Sequence, residues 1–560
     1  VMPSFYFKLE DFLNNGKNFY KLYFFLVVFL CIVKFPSLLT TDIQPWDEGM
    51  YATRVLSIHS NGDFIDQSLH SVGKFYSGSH PPLLIWLGYI VTLVFGINTV
   101  ALKLIIFTFS LLCILIIFLI GKKLFDQKTG FFAALIFCTN IIFNIFSKRF
   151  QFDIPYTFFI LLSFYLLFLY NDSKKFNYLI LCGISFGCCL MIKILVGFFI
   201  PAVIFTAYFF IKEKVNFNLK DILILTATGV ALALPWHLYM LIEHGSEFTD
   251  YFFKFHVYDR AFNGVEMNEK NSGMFFHINF LLGLFPFTIL LLFSFIKDAK
   301  NFRNLNRKKI FIWVYFFTGF FIITIIKTKL EVYILLLIPP LCFLIPLFLY
   351  DLDKENLRLK STVVFFTFLN ILWFTIKFFK LDIKSYLSQS NKFILVFTLI
   401  ILISVLFVLS KYLANKIGLK KPYYIFILFF FFAFNIYFAV RINEGETDFK
   451  ISNIKNFIGQ QENKKIIYVG SNYRFNPQFS FYFKGLDINW ENPDFEFEMI
   501  DTNDGLEKTR DKLSGLNANN YFIIAERDNI NRANYPPSDL FIPDGFKLIL
   551  KNEGYELYKN

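Results

Sequence analysis

The chain has 560 residues, 56% of them hydrophobic and 81 of them phenylalanine, with a formal net charge of +12 and a mean hydropathy of +0.51. That is too apolar for one soluble core and places the chain among polytopic membrane proteins. A basic balance also suits a nucleic-acid binder, but here Lys and Arg gather in short loops between apolar runs, where they fix orientation in a bilayer, so nucleic acid is set aside as a partner.

The first apolar run, about residues 22–40, follows a basic stretch and precedes no small-residue cleavage site, so it reads as an anchor with the N-terminus cytoplasmic. Further runs lie near 81–97, 100–120, 131–146, 154–170, 178–194, 196–211, 222–242, 277–296, 310–326, 332–350, 361–380, 392–410 and 422–440. The run that opens on Pro81-Pro82 is short and starts with a helix-breaking pair, so it reads as interfacial. About thirteen crossings then remain. With that number, Lys122-Lys123, the segment 212–220, the cluster 297–309 and Lys420-Lys421 all fall inside; one more crossing would move them outside, against the positive-inside preference.

Odd parity places everything after about Arg441 on the outer side. The composition there turns polar, with β-like runs at 465–469 and 521–525 and helical spacing at 451–460 and 507–516, which predicts a small α/β domain. The expected division is a membrane part, 1–440, whose outer loop 41–99 carries juxtamembrane helices, and a periplasmic domain, 441–560. The domain shows no catalytic motif, which leaves it as a cap over a site or a binder of acceptor. All seven cysteines sit in apolar runs without metal-ligand spacing or a disulfide framework and read as packing residues.

Ionisable residues collect at the outer ends of the predicted spans. The first outer loop holds Asp42, Asp47 and Glu48 just before a helix-like stretch. Asp47 reads either as a general base at the membrane surface or as a helix cap, since a short carboxylate there satisfies free backbone N–H groups. Lys148, Arg149 and Asp153 precede the fourth crossing; His256, Asp259 and Arg260 lie in the loop 243–276; Lys327 and Lys329 lie between two later spans. Each alone also fits a snorkelling anchor. Lys34 and Lys193 receive only that reading.

The order of these residues carries a resemblance. The loop reads Asp47-Glu48-Gly49-Met50-Tyr51-Ala52, then Asn61-Gly62-Asp63-Phe64, then His80-Pro81-Pro82-Leu83-Leu84. It is followed by Arg149 to Pro155, by Phe252-Phe253 through His256 and Arg260, and by Lys327-Thr328-Lys329-Leu330-Glu331-Val332-Tyr333. This series resembles the GT-C superfamily of membrane glycosyltransferases, in the branch that holds the lipid A aminoarabinose transferases and the protein O-mannosyltransferases. The motifs cover roughly residues 20–345.

The resemblance implies a GT-C-like polytopic helical fold, a polyprenyl-phosphate sugar donor, and a lipid A, glycolipid, glycan or protein acceptor on the periplasmic face of a bacterial inner membrane. Catalytic roles are then expected for Asp47, as the base, and for Asp153 and Glu48. Arg260, His80, Lys327, Lys329, His256 and Tyr333 are expected around the donor phosphate, because charge builds on the phosphate as it leaves. A divalent ion is compatible with Asp47, Glu48, Asp153 and His256, but their spacing forms no ligand motif. Ser79 stands where relatives of the aminoarabinose branch carry an acid, and His80 where they often carry Lys. A lipid-carrier flippase is the rival class, yet the chain shows no paired broken helices and its polar residues avoid the midplane. An oligosaccharide ligase is the rival within the transferases.

Overall fold

The computed structural model describes residues 16–193, 198–211, 216–265, 284–352, 354–378, 408, 420–447, 451–461, 465–470, 476–484, 496–502, 505–515, 521–526, 541–551 and 554–560. The expected crossing at 392–410 falls almost wholly outside them. The membrane part is helical: α1 (Gly16–Thr40), α2 (Asp47–Asn61), α3 (Leu83–Phe95), α4 (Thr99–Leu124), α5 (Gln127–Cys138), α6 (Ile141–Phe146), α7 (Asp153–Ser173), α8 (Phe176–Leu190), α9 (Phe199–Ile211), α10 (Leu219–Thr249), α11 (Thr288–Lys300), α12 (Arg307–Ile325), α13 (Ile338–Leu352), α14 (Leu357–Phe378) and α15 (Lys420–Thr447). Among the described residues, five helices are long and apolar enough to cross a membrane, and further apolar helices are shorter. The chain is an integral membrane protein.

Sequence periodicity alone does not place every break. The apolar run 131–146 divides into α5 and α6 at Thr139 and Asn140. Asn140 accepts a hydrogen bond from the Phe143 amide at 2.9 Å, and Asn144 donates to the Cys138 carbonyl at 2.7 Å. These side chains satisfy backbone groups freed at the break, which apolar surroundings demand. The helix α3 has 13 residues, about 20 Å at 1.5 Å per residue, well short of a hydrocarbon core of about 30 Å. The helices α8 and α10 touch through small residues; a methyl group on Gly187 would stand 2.9 Å from the Gly229 carbonyl oxygen. Beyond its bend at Gly245, φ 50°, α10 continues into a wide π-type coil, Asp250–Asn263.

The C-terminal part is a small α/β unit, with α16 (Ser452–Gly459), β1 (Lys465–Gly470), α17 (Gln478–Phe483), β2 (Glu496–Asp501), α18 (Leu506–Gly515), β3 (Phe522–Glu526), β4 (Lys547–Lys551) and β5 (Tyr555–Lys559). The strand order is β2-β1-β3-β5-β4. Strands β2, β1 and β3 run parallel, with Lys465 opposite Glu496 and Ile466 opposite Phe522, while β5 and β4 are antiparallel. Side chains alternate between the two faces of a strand. Ile467, Val469, Ile523 and Ala525 pack with Leu513 of α18, whereas Ile466, Tyr468, Ile524 and Leu557 join the core that continues into the membrane part.

Candidate functional site

The helix α2 begins after Trp46, whose backbone has φ 67° and ψ −136°. A bulky residue in that region costs about 1–3 kcal/mol and persists only where the surroundings over-determine it. Glu48 supplies much of that determination. Its fully buried carboxylate accepts from the amides of Gln44 at 2.9 Å and Phe150 at 2.7 Å, with the Lys103 ammonium 3.8 Å away. Lys103 also donates to the Thr41 and Asp42 carbonyls. Glu48, grouped with the catalytic acids in the sequence, is thus turned into the protein, where it ties the segment before α2 to the one before α7. Asp47 is exposed as the first helical residue, and the capping position falls on Trp46.

A cavity of about 300 Å³ opens among the ends of several elements. Its polar side is formed by Ser79, His80, Asp153, Tyr156, Lys193, His256, Arg260 and Tyr333, and its apolar side includes Ile322, Ile323, Ile326, Leu335 and Leu336. Of the residues expected at the site, Asp153, His80, His256, Arg260 and Tyr333 line this cavity. Asp47, Glu48, Lys327 and Lys329 are not on its wall. Tyr51, one turn after Asp47, stacks on Phe152 at 3.9 Å and meets the His80 ring edge-on at 6.0 Å. Burial raises the Tyr51 phenol well above its ordinary value, and the charges of Asp47 and Asp153 raise it further. It remains a neutral phenol close to both carboxylates.

His80 departs from the role of a simple cation. Its Nδ1 donates to the Ser77 carbonyl at 3.2 Å, and its own carbonyl accepts from Arg54 Nη2 at 2.9 Å. Burial, together with the charges of His256, Arg260, Arg54 and Lys193, holds its pKa well below the ordinary range. At neutral pH the ring is uncharged and Nε2 is an acceptor. His256 is set edge-on to it, ring centres 4.2 Å apart, and donates from Nε2 to the Tyr76 carbonyl at 2.9 Å. Among the described residues its buried Nδ1 has no hydrogen-bond partner, nor do the buried Ser79 and Tyr156 hydroxyls.

Two segments far apart in sequence meet at Arg260. The Lys327 amide donates to the Ala261 carbonyl and the Thr328 amide to the Arg260 carbonyl, both at 2.9 Å. The Lys327 side chain is exposed beside this joint. The Lys329 ammonium turns to the end of α12, donating to the carbonyls of Ile323 at 2.6 Å and Thr324 at 2.8 Å, and to that of Ile326. Such carbonyls lack helical partners, and a cation there complements the helix dipole. Lys329, expected on the donor phosphate, is placed here in a helix-closing contact away from the cavity wall.

The sequence reading missed two residues. Lys193 lies 3.9 Å from the Asp153 carboxylate and 5.2 Å from the Tyr333 ring centre. The parity that places Asp153 outside places Lys193 there too, so a signal existed. Arg54, fully buried, donates to the Ser77 and His80 carbonyls and to Gln67 Oε1. Nothing local distinguishes it from a solvated helix charge. Among the described residues, no group of three or more His, Cys, Asp or Glu side chains is placed to hold a metal ion.

The whole fold matches ArnT from Cupriavidus metallidurans bound to undecaprenyl phosphate, with a TM-score of 0.67, 15% identity, and coverage of 97% of this chain and 98% of that one. The apo form of ArnT gives a TM-score of 0.65 over the same shares at 15% identity. The chain carries the fold of ArnT. Residues 79–239 match the family described as dolichyl-phosphate-mannose-protein mannosyltransferase. An undecaprenyl phosphate-alpha-4-amino-4-deoxy-L-arabinose arabinosyl transferase of Wigglesworthia glossinidia brevipalpis is 25% identical over 359 residues, 63% of this chain and 62% of that protein. An uncharacterized protein of Aquifex aeolicus (strain VF5) is 22% identical over 329 residues, 58% of this chain and 63% of its own length. Both alignments span less than two thirds of the relative. The cavity draws residues from four of the segments that carry the resemblance in sequence, those at 80–84, 149–155, 252–260 and 327–333.

Proposed function

We propose that the chain transfers a sugar from a polyprenyl-phosphate donor to an envelope acceptor, at the periplasmic face of a bacterial inner membrane. The observation that carries this reading is one cavity that joins the cations Arg260 and Lys193 and the carboxylate Asp153 to an apolar wall. A prenyl phosphate has both matching halves, an anionic head and a hydrocarbon tail. ArnT, whose fold this chain shares, is bound to undecaprenyl phosphate.

In the proposed step an acceptor hydroxyl attacks the anomeric carbon, its proton passes to the Asp47 carboxylate, and the bond from that carbon to the phosphate oxygen breaks. The electron pair leaves on the phosphate. Arg260, with a planar fork, and Lys193, with a compact charge, neutralise it. Asp153 holds Lys193 and faces the sugar. Asp47 suits the base because an exposed carboxylate is ionised near neutral pH. Glu48 and Arg54 act through others: one fixes the backbone around Asp47, the other fixes His80. The acceptor class, whether lipid A, another glycolipid, a glycan or a protein, follows from comparing envelope components by mass spectrometry in cells with and without the chain. One species should lose a sugar mass when the chain is absent; unchanged envelopes would contradict the reading.

A further inference from the structure

The C-terminal domain grips the short stretch that carries Asp47 on both sides. Before it, Asp42 Oδ2 accepts from the amides of Ile451 at 2.8 Å and Ser452 at 2.7 Å, at the start of α16, and the Ile43 amide donates to the Tyr482 hydroxyl at 3.0 Å. After it, Gly49 lies directly against α17. A Cβ at Gly49 would stand 2.4 Å from the Gln478 backbone nitrogen and 2.9 Å from its Cα. One turn later, Thr53 Oγ1 lies within 3.4 Å of the Pro477 carbonyl oxygen.

The gripping side is itself fixed to the sheet. Gln478 Nε2 donates to the Tyr555 hydroxyl at 2.7 Å, and that hydroxyl donates to Asn476 Oδ1 at 2.7 Å. Gln478 is fully buried. The Nε2 side of Gln478 is thereby tied through Tyr555 and Asn476 to the sheet, while its Oε1 has no hydrogen-bond partner among the described residues. The other side of α2 is tied to the cavity through Glu48 and the Phe150 amide, and through Tyr51 stacked on Phe152.

We propose that the C-terminal domain is a positioning element of the transfer site. Through α16 and α17 it sets where the first turn of α2, and so Asp47, stands relative to the cavity. The proposal rests on Asp47 being the base. It assigns the domain to the catalytic unit itself, in place of a separate module that only collects acceptor. A base displaced by about 1 Å loses on the order of a hundredfold in rate while the donor head keeps its own contacts, because geometry and binding are separable contributions.

The test uses the full chain in membranes from cells with no other copy, following formation of the sugar-bearing species, together with undecaprenyl phosphate binding and thermal unfolding of the purified protein. Gly49→Ala should lower the transfer rate at least about tenfold while the Kd for undecaprenyl phosphate stays within about twofold. Tyr482→Phe, a milder change that keeps the ring, should lower the rate several-fold in the same pattern and carries the test if Gly49→Ala does not accumulate. Normal transfer by these variants beside an inactive Asp47→Asn would overturn the positioning role and leave the base assignment standing. A rate that falls only in step with unfolding temperature would reduce the contact to ordinary packing and overturn it as well. Normal transfer by Asp47→Asn would remove the base assignment and the proposal with it.

Discussion

The Lys193 ammonium stands 3.9 Å from the Asp153 carboxylate and above the Tyr333 ring. This contact joins the end of α8, the start of α7 and the turn before α13 on one cavity wall. A lysine there has a carboxylate beside it and still has donors for a phosphate. Lys193→Met should weaken undecaprenyl phosphate binding about 10- to 100-fold, the range of one charge-assisted contact of about 1.5–3 kcal/mol. Titration of the purified protein with that lipid checks it.

Lys329→Ala should behave differently. Its ammonium closes the end of α12, so its loss should cost about 1 kcal/mol of stability and leave the lipid Kd within about twofold. Lipid titration of Lys329→Ala beside Lys193→Met separates a helix-closing lysine from a phosphate-facing one.

Arg54 is buried with three acceptors arranged around its guanidinium. Arg54→Ala removes the donor from Gln67 Oε1 and from the His80 carbonyl, leaves the Ser77 carbonyl its bonds from His80, and should cost about 3 kcal/mol or more. Arg54→Lys should recover only part of this, since a point charge cannot reach three divergent acceptors. Thermal unfolding in detergent gives both values.

His80 provides a pH prediction. Its folded pKa is held well below that of an exposed histidine, first by burial and then by neighbouring positive charges. The unfolded chain therefore binds a proton below about pH 6.5 that the folded chain refuses. Its contribution to stability is complete above that value and is lost as pH falls toward the folded pKa. The unfolding temperature should drop between pH 7 and pH 5, and His80→Asn should flatten the drop. A slope unchanged by the substitution would show that other groups cause it.

Much of this arrangement was legible in the sequence, for physical reasons that also mark its limit. Parity and loop charge place Asp153, His256, Arg260 and Tyr333 on one side, and the structure lines one cavity with them. The strands at 465–470 and 522–526 follow from their β-branched and aromatic content. What sequence cannot read is the direction of a charge. Glu48 and Asp47 are neighbours, yet one is buried on backbone amides and the other is exposed. Lys329 and Lys193 both flank apolar runs, yet one closes a helix and the other faces the cavity. The break at Asn140 was hidden because hydropathy averages ignore an asparagine that satisfies its own backbone. The grip of α17 on Gly49 joins residues more than four hundred positions apart, beyond any local pattern.

The most direct test of the account is Asp47→Asn, with the sugar-bearing envelope species measured by mass spectrometry and undecaprenyl phosphate binding measured on the purified protein. The account predicts that the species disappears, as in cells without the chain, while the lipid still binds with its ordinary affinity. An unchanged amount of the species in Asp47→Asn cells would contradict it.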